Sequence, residues 1–169
     1  MWIIFKGLSI AFFRAESQNL LKVNEKIVLD SLVFPSEKLT SYQLEDYEGE
    51  IAIPETYLIP EDKIYLFPLT STDSNTGETF EIYCIYIGDM NTIATDTVIL
   101  YTHGQGKHMD NYWSRAKLLA NIGSKNNYGV LMMDYRGFGM SEGESTEQGL
   151  IDDVETCELD QWTLNYLLQ

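Results

Sequence analysis

The clearest signal along the chain is a change in the period of its apolar positions. Between residues 50 and 87, Ile, Tyr, Leu and Phe are dense but are broken by Pro54, Pro60 and Pro68. Proline brings no N–H to a ladder, so strands in this stretch are expected to be short or to lie at a sheet edge. Ser74-Asn75-Thr76-Gly77 is a turn signal, and the run Thr79–Ile87 after it has strong β propensity. A small antiparallel meander is the expectation. From Thr97 to Tyr101 the run is continuously apolar, as in a strand buried on both faces. Beyond the turn Thr102-His103-Gly104-Gln105-Gly106, apolar positions recur at helical spacing from Asp110 onward, at Tyr112/Trp113, Ala116 and Leu119/Ala120, with Gly123 as the stop. Tyr128–Met133 is a second buried run. The segment therefore predicts strand, helix and parallel strand in a right-handed crossover, with Asp134 at the carboxyl end.

A last helix is announced by Ser145-Thr146-Glu147-Gln148, read as a capping box between Ser145 and Gln148. Its apolar stripe runs through Leu150, Val154, Cys157, Leu164 and Leu168, which suits a helix lying on a sheet. Glu142, Glu144, Glu147, Asp152, Asp153, Glu155, Glu158 and Asp160 have no Lys or Arg among them, and such a run reads as a solvated helix face. At the other end, residues 1–13 are apolar apart from Lys6 and fall short of the roughly 20 residues that span a bilayer. They read as an amphipathic helix, with contact at a membrane surface or a role in export as the alternative; localisation stays open between cytoplasmic and membrane-associated or exported. Residues 16–30 read as helix or mixed structure, and Phe34-Pro35 with Ser36–Leu39 as a turn. The organisation expected is an apolar, helical segment over residues 1–30 followed by one domain over residues 31–169.

Composition narrows the function. With 44% hydrophobic and 22% charged residues, the 169-residue chain can bury a core. Its formal charge of -15 repels a phosphate backbone, so nucleic acid is excluded as a partner. Cys84 and Cys157 form no C-x-x-C pair, and with His103 and His108 they make no four-ligand zinc set. No metal or cofactor is implied, and the cysteines read as small core thiols.

The chemistry gathers at the Gly-rich turn. Placed between a buried strand and a helix, it aims several backbone N–H groups at one spot near the positive end of a helix dipole. Such a device cradles a phosphate or stabilises the oxyanion of an acyl-transfer intermediate. For a dinucleotide fingerprint the turn offers Gly104 and Gly106 but Met109 in place of the third glycine, although Asp134 mimics the ribose-binding acid. A nucleotide-binding module therefore stays as the lesser alternative.

Val98–Gly106, followed by Asp134-Tyr135-Arg136-Gly137-Phe138-Gly139-Met140-Ser141-Glu142-Gly143 and by Glu147–Leu150 with Asp153, resembles the first half of an α/β-hydrolase. It is most similar to serine hydrolases of the esterase, lipase and serine-aminopeptidase-like group, which carry an HGxG turn and a DYRGxGxSxG segment. The resemblance covers roughly the last 70 residues. It implies an α/β fold in which antiparallel N-terminal strands lead into a parallel βαβ sheet with flanking helices, and an ester or amide substrate cleaved through an acyl-enzyme. By the same resemblance the backbone N–H of Gln105 contributes to the oxyanion hole. His103, Gly104, Gly106, Asp134, Tyr135, Arg136, Gly137, Gly139 and Ser141 are then motif residues, with His103 structural. His108 reads as a surface residue of the loop.

Gly139-Met140-Ser141-Glu142-Gly143 also satisfies G-x-S-x-G, the nucleophile-elbow formula. An elbow needs a strand running into its first glycine and a helix starting right after the serine. Here the strand is expected to stop near Met133 and the helix to wait until Ser145, which makes Ser141 a loop serine. No histidine follows it, as the family's order of nucleophile, acid and base requires. A convergent arrangement of His108, Asp134 and Ser141 is the other conceivable triad. The expectation is a chain inactive by itself, whose elbow, acid and base would lie beyond Gln169. A non-catalytic binding or interaction protein on the same half-sheet is the rival. Either way an exposed sheet edge is expected to take a second copy or a complementing chain.

Overall fold

The computed structural model describes residues 29–30, 32–44, 58–93, 97–104, 106–122 and 129–167. Two compact units divide the chain, Met1–Val33 and Phe34–Gln169. In the first, residues 29–30 and 32–33 are helical. The expectations for residues 1–13 and 16–28, for Gly123 as a helix stop and for Gln105 lie outside the described residues.

The second unit is built on one mixed sheet. In chain order it carries β1 (Ile64–Thr72), β2 (Thr79–Ile87), β3 (Val98–Thr102), α1 (Met109–Ala120), β4 (Gly129–Met133) and α2 (Glu147–Leu167). The strands lie side by side as β1-β2-β4-β3, antiparallel between β1 and β2 and between β2 and β4, parallel between β4 and β3. The antiparallel strands thus join the βαβ unit directly, within one sheet.

Turn chemistry sets the β1–β2 register. Asp73 Oδ1 accepts the backbone N–H groups of Asn75 and Thr76, both at 2.9 Å, and Gly77 takes a φ of +76° that a side chain would resist. Pro68 is exposed on β1, whose outer side needs no ladder N–H. The expected edge placement holds, but β1 is nine residues long, so the proline shortens nothing.

Side chains alternate between two faces in rows that cross the sheet. Tyr65, Tyr86, Leu131 and Leu100 form one row; Phe67, Cys84 and Met133 form the next on the same face. Val154 and Cys157 of α2 pack there. The intervening rows, Ile64, Ile87, Val130 and Ile99, then Ile85, Met132 and Tyr101, face the other way and meet Met109, Trp113, Ala116 and Ala120 of α1. The result is a three-layer α/β arrangement, as periodicity implied for α1.

β4 is buried along its whole length, whereas Val98–Tyr101 of β3 are only half-buried. The sequence suggests both are covered on both faces. β3 differs in having, among the described residues, β4 as its single strand neighbour, where β4 is flanked by β2 and β3. The cap of α2 differs too. Thr146 is the capping residue, its Oγ1 accepting the Gly149 N–H at 3.0 Å. Ser145 instead donates to the carbonyl of Arg136 at 2.8 Å, and Gln148 reaches forward to Asp152 at 3.0 Å.

Candidate active site

The motif residues collect at the carboxyl ends of β3 and β4, where open α/β sheets place their ligands. Asp134, the first residue beyond β4, is fully buried. Its Oδ1 accepts the N–H of Met109, the first residue of α1, at 2.7 Å, and its Oδ2 accepts the Tyr42 hydroxyl at 2.7 Å. A carboxylate on a helix N-terminus is favourable on both hydrogen-bonding and dipole grounds. The Tyr42 oxygen in turn accepts the Met140 N–H at 3.0 Å. Burial first, and the Asp134 carboxylate beside it, push the Tyr42 phenol far above its ordinary range, so it stays a neutral phenol that donates to Asp134. With its carboxylate committed in this way, Asp134 presents no free oxygen at the surface for a ribose.

His103 lies against this carboxylate. Its Nδ1 is 2.8 Å from the Gly104 carbonyl, to which it donates, and its Nε2 is 3.2 Å from Asp134 Oδ1 but off the line of a hydrogen bond. The ring stacks on Tyr112 at 5.5 Å and meets the edges of Tyr135 and Phe138 at 5.1 and 5.3 Å. Gly104 is exposed, and Gly106 is buried with a φ of +78°. Lys107 follows at a φ of +67°, so two successive left-handed residues bend the chain into α1. His108 sits immediately before α1 and is not the surface residue expected. It is 2% exposed, and its N–H donates to Asn111 Oδ1 at 3.3 Å. Its bond to Asn111 at the start of α1 holds it inward.

The loop after Asp134 is stitched to β2 where β4 has ended. The Asp134 N–H donates to the Tyr83 carbonyl at 3.0 Å, and the Glu142 N–H to the Glu81 carbonyl at 2.8 Å. Between them, Ser141 Oγ donates to the Asp134 carbonyl at 2.7 Å and accepts the Tyr83 N–H at 2.9 Å. Ser141 is fully buried. Both of these bonds go to backbone, so the hydroxyl is a fastener of the loop. Gly139, at a φ of +49°, passes so close to Asp134 that a Cβ would stand 1.9 Å from Oδ2. Residues 37–39 pair alongside, the Gly139 N–H donating to the Glu37 carbonyl at 2.8 Å and the Leu39 N–H to the Gly139 carbonyl at 2.9 Å. Lys38 Nζ donates to the Ser141 carbonyl.

Arg136 is buried and makes the second charged cluster. Its Nε and NH2 donate to Asp153 Oδ1 at 3.0 and 2.8 Å, its NH1 to Asp73 at 2.9 Å and its NH2 to Ser71 Oγ at 3.1 Å. Asp152 lies 3.9 Å away. Gly149 leaves room for the side chain, since a Cβ there would lie 2.5 Å from Arg136 Cδ. Asp152 and Asp153 are therefore buried, which corrects the reading of the acidic run as wholly solvated. The counter-charge absent from the run itself comes from Arg136, before the helix begins. Gly137, at a φ of +88°, turns the chain past Ser145, and Tyr135 is half-buried with its hydroxyl pushed up mainly by burial.

Motif reading reached His103, Asp134, Arg136 and Ser141 but not Tyr42 or Asp110. Asp110 receives the N–H groups of Gln43 and Leu44 at 2.8 to 3.0 Å and so fixes the segment that carries Tyr42. Its signal in the sequence is faint: an acid in the first turn of a helix. Tyr42 has none.

No family model matches the chain. Among curated proteins, it is 38% identical over 67 residues to the uncharacterized protein YfhR of Escherichia coli K12, covering 40% of this chain and 21% of YfhR. To human protein ABHD12B, an α/β-hydrolase domain protein, it is 41% identical over 57 residues, covering 34% of this chain and 15% of the relative. The match thus spans 15% to 21% of the length of these curated relatives. Among solved structures, the Pyrococcus furiosus esterase Pf2001 aligns with 74% of this chain and 41% of its own at a TM-score of 0.40 and 15% identity. The sequence likeness to ABHD12B supports the α/β-hydrolase relationship that the motifs of this chain imply.

Proposed function

We propose that this chain forms the oxyanion side of a serine-hydrolase-like active site for ester or amide substrates. The observation that carries the reading is the β3–α1 turn. It stands at the carboxyl end of the sheet, with Asp134 holding the first N–H of α1 and His103 packed beneath. Backbone donors that need no reorganisation are the ones effective on a developing negative charge. Gln105 would supply the donor.

Ser141 is not the nucleophile in this reading, because its hydroxyl already serves the Asp134 carbonyl and the Tyr83 N–H. The chain contains two histidines, His103 and His108, and both are buried. An unassisted serine hydroxyl is a poor nucleophile. By itself the 169-residue chain is therefore expected to leave a serine-reactive fluorophosphonate probe unbound. Labelling that disappears in Ser141→Ala would overturn this. In a longer polypeptide joining these residues to a G-x-S-x-G elbow and a later histidine, Gln105→Pro deletes the donor and should slow acyl turnover about 10²–10³-fold. An unchanged rate removes Gln105 from the reaction.

The edge of β3 that no strand among the described residues pairs with supports a second element of the reading, that a further strand from another copy or a complementing chain completes the sheet. The same edge is the feature that a purely non-catalytic interaction protein would use.

A further inference from the structure

The chain has two cysteines, 73 positions apart, and folding brings them together. Cys84 lies on β2 and Cys157 on α2, both fully buried in the layer between sheet and helix. Their Sγ atoms are 3.6 Å apart, and Met133 Sδ is 3.3 Å from the Cys157 Sγ. Closing a disulfide requires the sulfurs to approach by about 1.5 Å more, to the bonded distance near 2.05 Å. With no other cysteine in the chain, one intrachain pairing is possible.

We propose that Cys84 and Cys157 are a disulfide site, oxidised by a small disulfide such as glutathione disulfide to a cross-link that staples α2 to β2. In the first step one thiol loses its proton and attacks the glutathione disulfide, forming a mixed disulfide and releasing one glutathione thiolate. The second cysteine, deprotonated in turn, displaces the other glutathione. The protein loses two protons and two electrons, and one glutathione disulfide becomes two glutathione thiols. Proximity favours the second step, since the attacking sulfur is already in contact with its target. Access limits the first. Neither sulfur reaches solvent, and the Cys157 contact together with burial raises the Cys84 thiol well above its ordinary range, so little thiolate forms. The cross-link therefore closes during folding or transient opening of α2, slowly in the intact fold, and once closed is equally shielded from reductants.

The test is a redox titration of the whole chain in mixtures of reduced and oxidised glutathione, with free thiols trapped by N-ethylmaleimide and the intact mass measured. It is run in native buffer and in guanidinium. The expected result is a product two hydrogens lighter with no maleimide added, and an equilibrium constant for closure of the order of 100-fold larger in native buffer than in guanidinium. Equal constants, or a smaller one in native buffer, would show that folding does not favour the bond and overturn the proposal. Two maleimides on the natively equilibrated protein at an oxidising ratio would do the same. Cys157→Ser supplies the control that removes the partner: it should stop at the singly glutathionylated or thiol form. Because the wild-type comparison needs no variant, a failure of that substitution to fold leaves the test intact.

Discussion

At the scale of single residues, two glycines with similar backbone angles have opposite surroundings. Gly77 at a φ of +76° has open space where a Cβ would go, while Gly139 at +49° faces Asp134 Oδ2 at 1.9 Å and the Tyr42 hydroxyl at 2.5 Å. Gly77→Ala is expected to cost only the left-handed backbone penalty, about 1–2 kcal/mol. Gly139→Ala adds displacement of a buried carboxylate that holds Met109 and Tyr42, so its cost is expected to exceed that of Gly77→Ala by at least about 2 kcal/mol. Urea denaturation of both variants measures the difference. Comparable midpoints would mean that Asp134 can swing aside, and the picture of a rigid support under the turn would fail. The comparison is useful because the backbone penalty is common to both, leaving the packing around Asp134 as the distinguishing quantity.

Among elements, Arg136 ties α2 to the sheet. It joins β1 through Ser71, the hairpin through Asp73 and the first turns of the helix through Asp152 and Asp153. Removing one partner strands a buried charge, so Arg136→Met or Asp153→Ala should destabilise the unit by about 3–5 kcal/mol. The cluster also sets an acid limit. Asp73 is held below the ordinary carboxylate range by the Thr76 N–H, with Arg136 adding to the effect. Asp152 is also held below it, because the Ser74 N–H, Gln148 and Arg136 together outweigh the opposing push of burial. A carboxylate with its folded pKa below its unfolded one stabilises the fold above the unfolded value and loses that contribution as pH falls toward the folded one. Thermal stability should therefore be insensitive to these groups above about pH 5 and fall below about pH 4, less steeply in Asp73→Asn. An identical acid slope in that variant would assign the loss elsewhere. This cluster also marks where sequence reading stops. Helical spacing and apolar runs gave α1 and β4, because burial imposes a period on neighbouring residues. The pairing of Arg136 with Asp153 and Asp73, like that of Tyr42 with Asp134, joins residues 17 to 92 positions apart, and no local period records it.

For the whole molecule, charge and topology pull in different directions. A formal charge of -15 repels like chains, whereas β3 presents an edge that no strand among the described residues pairs with, lined by half-buried Val98, Ile99, Leu100 and Tyr101. At low ionic strength the repulsion acts over several tens of ångströms, and at 0.15 M salt the Debye length contracts to about 8 Å. Edge pairing, which works at contact distance through main-chain bonds and apolar burial, is left largely unopposed. Self-association is consequently expected to strengthen with salt, opposite to the response of an interface held by ion pairs. Size-exclusion chromatography across protein concentration and salt should show a concentration-dependent dimer, more populated in high salt. Amide hydrogen exchange locates the contact. Protection on β3 should rise with protein concentration, while β4, already buried along its length between β2 and β3, should not respond. Dimerisation that leaves β3 exchange unchanged would place the contact elsewhere, and a monomer at every salt and concentration would show that the edge does not recruit a second copy.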